Sequence, residues 1–259
     1  MVLSGGKEFN TYVYPKLPIA TGAQQATGIT MANNDMFVNG KKVTTTLIHP
    51  AIDNLLSWLE KMQNVVLVAH NGRKFDFPVL ISAISNVKAL DKLYSCVIGF
   101  LDSFTMLKKV FPGRGSYKQE DLVAGLLHAT YPAHDALEDV RALGKLTMYC
   151  SVPTQEMVKF TFPPKAIHFN CLYLIEKTKN MPTLSVLVAN GVCKSATAEN
   201  IAGSGLNLTH LHKIFDRDGE DGLMNAFTGK NCEGQPRVTN TKRTLETVIP
   251  KLAEFLSRK

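Results

Sequence analysis

The chain has 259 residues, room for one large domain with an extension or for two small domains. Its composition, 45% hydrophobic and 20% charged, excludes a disordered polymer, and five widely spaced cysteines (Cys96, Cys150, Cys171, Cys193, Cys232) with no Cys-x-x-Cys pair exclude a disulfide framework and a zinc finger. The 29 Lys and Arg against 22 Asp and Glu give a formal charge of +7, which leans towards polyanionic partners such as nucleic acid.

That charge is spread along the chain, 15 cations against 12 acids before residue 151 and 14 against 10 after it, so no basic tail stands out. No segment approaches the ~20 apolar residues of a membrane span. The opening residues, MVLSGGKEF, hold no hydrophobic stretch of signal-peptide length. Nucleus or cytoplasm, with reduced thiols and no membrane partner, is the expectation.

Residues 7–14, KEFNTYVY, alternate and are rich in aromatic and β-branched side chains, which predicts a strand closed by Pro15. LPIATGAQQATGIT is loop-like with a short helical stretch. Residues 50–63 start with proline and carry Ile52, Leu55, Leu56 and Leu59 at helical spacing. NVVLVAH is a continuous apolar run of the kind a strand buried on both faces shows. A helix is predicted from about 77 to 89, then SCVIGFLDSF as a further strand. SYKQEDLVAGLL predicts a helix opening on a serine cap, and HDALEDVRALGKLTMYC a stronger one. Strands alternating with helices imply a mostly parallel sheet covered on both sides. The pattern breaks at SVPTQEMVKFTFPPK, near residues 151–165. Beyond it, helices are predicted near 168–178, 182–190, 195–202, 206–217 and 242–257, an all-helical extension. The domain division expected is therefore 1–150 and 151–259.

The stretch VLVAHNGRKFDFPVL ends an apolar run in polar groups and restarts on an aspartate between two phenylalanines. Asp76 before Phe-Pro is a favourable helix N-cap, with Pro78 in the first turn, and it is equally one corner of a metal site. His70 and Asn71 read as satisfied loop residues or as parts of that site. In HDALEDV, Asp135 and Glu138 fit a capping box, which leaves His134 and Asp139 unexplained. Asp139 lies beside the apolar stripe Val140, Leu143 and Leu146, where an unpaired carboxylate is costly. A divalent cation would answer it, with His134 nearby as a base whose ordinary pKa suits neutral pH.

AHNGRKFDFPVL, then FLDSF, then SY opening a helix, then HDALED, in that order, resembles the DEDDh 3′–5′ exonuclease family, in particular its three-prime repair branch. VIGFLDSFTMLKKVFPG and the helical tail after residue 165 are similar to exonuclease-like C-terminal regions of the PML type. The resemblance implies an α/β ribonuclease H-like exonuclease fold, a mixed central sheet with flanking helices, lacking its first strands and followed by the helical extension. It implies Asp76 and Asp139 as metal ligands, His134 as general base, and Mg2+ or Mn2+ as the cofactor. Asp102 matches a supporting acidic position, with His70 and Asn71 beside it. Thr27, Gly28 and Ile29 match a segment near the terminal nucleotide. Arg73, Lys74, Arg114 and Lys118 are candidate phosphate contacts, or ordinary surface cations. The partners implied are single-stranded DNA or RNA 3′ ends, with a protein partner for the helical region.

One family element is missing from the sequence. Family members hold two ions with four carboxylates, two of them from an Asp-x-Glu motif on the first strand, and nothing before Lys7 supplies it. The Asp218-Gly219-Glu220 triplet is an acidic turn with no apolar strand to present it. Two carboxylates do not neutralise two dications, so this chain as given is expected to be inactive. Truncation of a longer exonuclease is the favoured explanation. The alternative is a non-catalytic module, derived from the same fold, that binds nucleic acid or protein.

Overall fold

The computed structural model describes residues 7–231 and 234–258, so Cys232 and the residues before Lys7 lie outside it. The chain divides into two compact units, Met1–His168 and Phe169–Lys259.

In chain order unit 1 holds β1 (Tyr12–Val13), α1 (Thr21–Thr27), β2 (Ile29–Ala32), β3 (Asp35–Val38), β4 (Lys41–Val43), β5 (Thr45–Thr46), α2 (Ile48–Leu59), β6 (Val65–Ala69), α3 (Asp76–Asn86), α4 (Leu90–Cys96), β7 (Val97–Asp102), α5 (Ser103–Val110), α6 (Gln119–Leu127), α7 (Ala136–Tyr149), α8 (Thr154–Val158) and β8 (Thr161–Phe162). The helix α9 (Pro164–Ala189) crosses the boundary, and α10 (Ser195–Gly203), α11 (Leu208–Thr228) and α12 (Lys242–Ser257) follow in unit 2.

The expected single mixed sheet is replaced, among the described residues, by three separate small ones. The β1 and β5 strands pair in parallel over two residues, β2-β3-β4 form an antiparallel meander, and β6-β7-β8 form a mixed sheet. The meander is closed by tight turns in which Asn33, Asn34, Asn39 and Gly40 all take positive φ, the geometry two-residue hairpins require. The predicted strand 7–14 shrinks to Tyr12–Val13, which pairs with Thr45–Thr46 over two residues.

The apolar run before His70 does form a strand, β6, parallel to β7. On one side of that sheet, Phe77 stacks on Phe100 with centroids 4.3 Å apart, and Phe162 meets both rings edge-on. A further cluster joins Leu101, Met106, Leu107, Leu122, Val123, Leu126, Ala142 and Leu146 from β7, α5, α6 and α7, with Val66 and Val68 packed against it. The β8 strand falls inside the stretch, near residues 151–165, where the sequence pattern breaks. Its two residues pair antiparallel with β7, and Phe162 is buried there.

Two cap readings change. Ser116 does not cap α6; its hydroxyl donates to Asp121 and accepts from the Lys118 N–H instead. Asp135 does cap α7, accepting from Leu137 N at 3.0 Å and Glu138 N at 3.1 Å. Glu138 does not complete a capping box, because Arg141 engages it and also grips Glu8 with two hydrogen bonds at 2.8 and 2.7 Å. Asp135→Ala should cost about 1 kcal/mol of stability and Asp135→Asn far less, read as shifts in the urea midpoint.

Unit 2 packs α9 to α12 around Leu184, Leu187, Ile201, Leu211, Leu223, Phe227 and Leu252. The two helices predicted over 168–190 are one, continuous through Pro182. The acidic turn at Asp218 to Glu220 is a single-residue break inside α11, where Gly219 takes φ +61°. Among the described residues no helix is long and apolar enough to cross a membrane.

Candidate active-site cavity

The β6 strand ends at Ala69, and from His70 the chain turns sharply into α3. Asn71 takes positive φ, and Gly72 is buried with its carbonyl accepting from Phe77 N at 2.9 Å. That turn delivers Asp76 as the first residue of α3. Phe75 holds the cap position, and neither carboxylate oxygen of Asp76 serves a cap, contrary to the N-cap reading. Asp76 is left facing outward.

A cavity of about 960 Å³ opens there. Its lining brings together His70, Asn71, Asp76, Lys118, His134 and Asp139, residues from three separate stretches of sequence. Asp102 lies behind it, 5% exposed, with its two carboxylate oxygens accepting from Arg73 N and Phe104 N, both at 3.0 Å. The remaining candidates do not line the cavity. Thr27 closes α1, Gly28 caps it in the left-handed conformation and Ile29 begins β2. The Arg73 guanidinium lies 3.5 Å from the centre of the Phe162 ring, and neither Lys74 nor Arg114 is among the lining residues.

Electrostatics divide the site. Desolvation raises the pKa of Asp76 above the ordinary carboxylate value, and the like charges of Asp102 and Asp139 push it further in the same direction. Burial lowers the pKa of His70. Both its ring nitrogens are engaged: Nε2 lies 2.8 Å from the Tyr117 carbonyl and Nδ1 2.9 Å from Ser103 Oγ. A carbonyl only accepts, so Nε2 carries the proton and Nδ1 accepts from the serine hydroxyl. With both nitrogens committed, His70 holds the β6 terminus in place and has no free position for a proton.

His134 has the opposite character. It is exposed, takes φ +69° in the loop before α7, and sets Nε2 3.8 Å from Glu120.

Sequence reasoning did not anticipate the supports of Asp139. The Gln119 side-chain amide donates to the Asp139 carbonyl at 2.8 Å and to the Tyr131 hydroxyl at 3.0 Å. Burial, with the Asp139 carboxylate beside its hydroxyl, pushes the Tyr131 pKa up to about 12. No spacing rule links residues 12 and 20 positions apart, so only the fold reveals this arrangement.

The donor set for a metal falls short. Among the described residues no three His, Cys, Asp or Glu side chains converge as ligands, although Asp76, Glu120 and Asp139 line the same cavity. The residues present do not make a metal site by themselves.

The unit thus gathers two carboxylates and an exposed histidine around one cavity near the end of β6. The exonuclease family model matches residues 2–147, more than half the chain, and the protein belongs to that family. A second family model, described as the PML C-terminal domain, matches residues 180–259. A comparison with curated proteins finds no match.

Proposed function

We propose that the protein is an exonuclease of the DEDDh type, built on a ribonuclease H-like fold, whose cavity receives the 3′ end of single-stranded DNA or RNA. The observation that carries the reading is the convergence of Asp76, His134 and Asp139 on one cavity from blocks far apart in sequence, within the segment the exonuclease model matches. Asp76 and Asp139 are assigned as two of the carboxylates that hold Mg2+ or Mn2+, and His134 as the acceptor of the proton lost by the attacking water. Asp102 fixes the turn that presents Asp76, and Lys118 at the rim is the candidate phosphate contact. Residues 1–150 form the exonuclease-like part, and residues 151–259 the part that meets a protein partner.

Two carboxylates leave the site short of charge, so the chain alone is expected not to cleave. Fusing an upstream strand bearing Asp-x-Glu should give Mg2+-dependent release of mononucleotides from a 5′-labelled oligonucleotide, and Asp139→Ala in the fusion should abolish it. Absence of release from the fusion would reject the nuclease reading. Salt-sensitive oligonucleotide binding unchanged by EDTA would then leave a non-catalytic binding module.

A further inference from the structure

A carboxylate beside an apolar stripe is costly unless something answers its charge, and a divalent cation is one answer for Asp139. The fold supplies another. Gln119 opens α6, Tyr131 lies in the loop between α6 and α7, and Asp139 stands in the first turn of α7. All three line the cavity. The Gln119 amide nitrogen donates twice, to the Tyr131 hydroxyl at 3.0 Å and to the Asp139 carbonyl at 2.8 Å. One side chain thus fixes the phenol and the Asp139 main chain together. The Tyr131 ring packs against the buried cluster that joins β7, α5, α6 and α7, so its hydroxyl reaches the cavity from an anchored ring. A phenol carries one proton. Its oxygen already accepts the Gln119 N–H, which leaves that proton for the Asp139 carboxylate beside it. Among the described residues no buried side-chain nitrogen or oxygen lacks a hydrogen-bond partner, so the cavity wall holds no orphaned buried atom for an ion to satisfy.

We propose that Tyr131 and Gln119 stand in for a cation at Asp139: the phenol donates to the carboxylate, the amide holds phenol and main chain in register, and this wall of the cavity keeps its shape without metal. Both act through Asp139 and are positioning residues. A hydrogen bond to an ionised group is stronger than one between neutral groups, which is what a lone carboxylate in this setting requires. The inference does not rest on the nuclease reading. It concerns the chain without a cation and holds equally for a module that only binds.

The test is a double-mutant cycle on the full chain, read as the melting midpoint by circular dichroism in EDTA. Tyr131→Phe keeps the ring and removes the donor, while Asp139→Asn keeps an acceptor for the phenol and removes the charge. Tyr131→Phe is expected to lower the midpoint by a few degrees, and by less than half as much in the Asp139→Asn background. Gln119→Leu, which keeps the bulk and removes the amide, should lower the midpoint as well. Millimolar Mn2+ in place of EDTA should leave the midpoint of the unmodified protein where it was. Equal losses from Tyr131→Phe in the two backgrounds would overturn the proposal, since the phenol would then not answer the charge of Asp139. So would a saturable rise with Mn2+ that Asp139→Asn abolishes, which would make a cation the partner of this carboxylate.

Discussion

Gly72→Val is expected to destabilise the protein by about 1–3 kcal/mol, with Gly72→Ala showing the same sign and a smaller loss. A Cβ at this position would lie 2.6 Å from the Ala69 methyl and 2.7 Å from the Phe77 ring. Neither neighbour has room to retreat. Ala69 is held in register on β6 opposite Asp102, and Phe77 is stacked on Phe100. The strain would therefore be relieved by opening the turn between β6 and α3, the turn that delivers Asp76. A urea titration followed by circular dichroism reads the loss. A midpoint within error of the unmodified protein would show that the turn is looser than the distances imply.

Phe100→Ala should cost more, about 3–5 kcal/mol. The ring is fully buried, stacked on Phe77 with the planes only 8° apart, and edge-on to Phe162 at 6.2 Å. Its removal leaves a void between β7 and α3 that two remaining rings fill poorly, and it loses the aromatic pairing that adds roughly 0.5–1.5 kcal/mol beyond burial. Phe100→Leu keeps most of the volume and should lose much less. Thermal denaturation of the two variants side by side separates cavity cost from a general intolerance of substitution in β7.

What the sequence shows of this fold follows from the range of the interactions involved. The β6, α3 and α7 elements are legible because each declares itself within a dozen residues: the unbroken VVLVA run, the Phe-Asp-Phe-Pro entry, and the Asp135 cap before an apolar stripe. The Leu90–Cys96 helix is not, since LDKLYSC is short and its last residues run straight into the apolar β7. The division into three sheets was hidden for another reason. Strand pairing is decided by partners tens of residues away, and β1 meets β5 across more than 30 residues of intervening chain. The site shows the same split. Asp76, His134 and Asp139 stand out as residue types that local structure does not fully explain, and the cavity gathers all three. Arg73, by contrast, reads as a free cation until the fold sets Phe162 beneath it.

The division into three sheets bears on how the protein keeps to itself in a crowded solution. Each separate sheet has two edge strands, where one continuous sheet would have two in all, so more edges need protection from unwanted pairing. The flanks are defended differently. Lys41 and Lys42 place two charges on β4, and any chain approaching to pair there must bury or displace them. The β6 strand, the most apolar of the set, has no such charges and instead sits within a recess between α3 and α7. Solubility here depends on helices as much as on charge. Loosening α3 or α7 would uncover the segment of this chain best suited to seed aggregation.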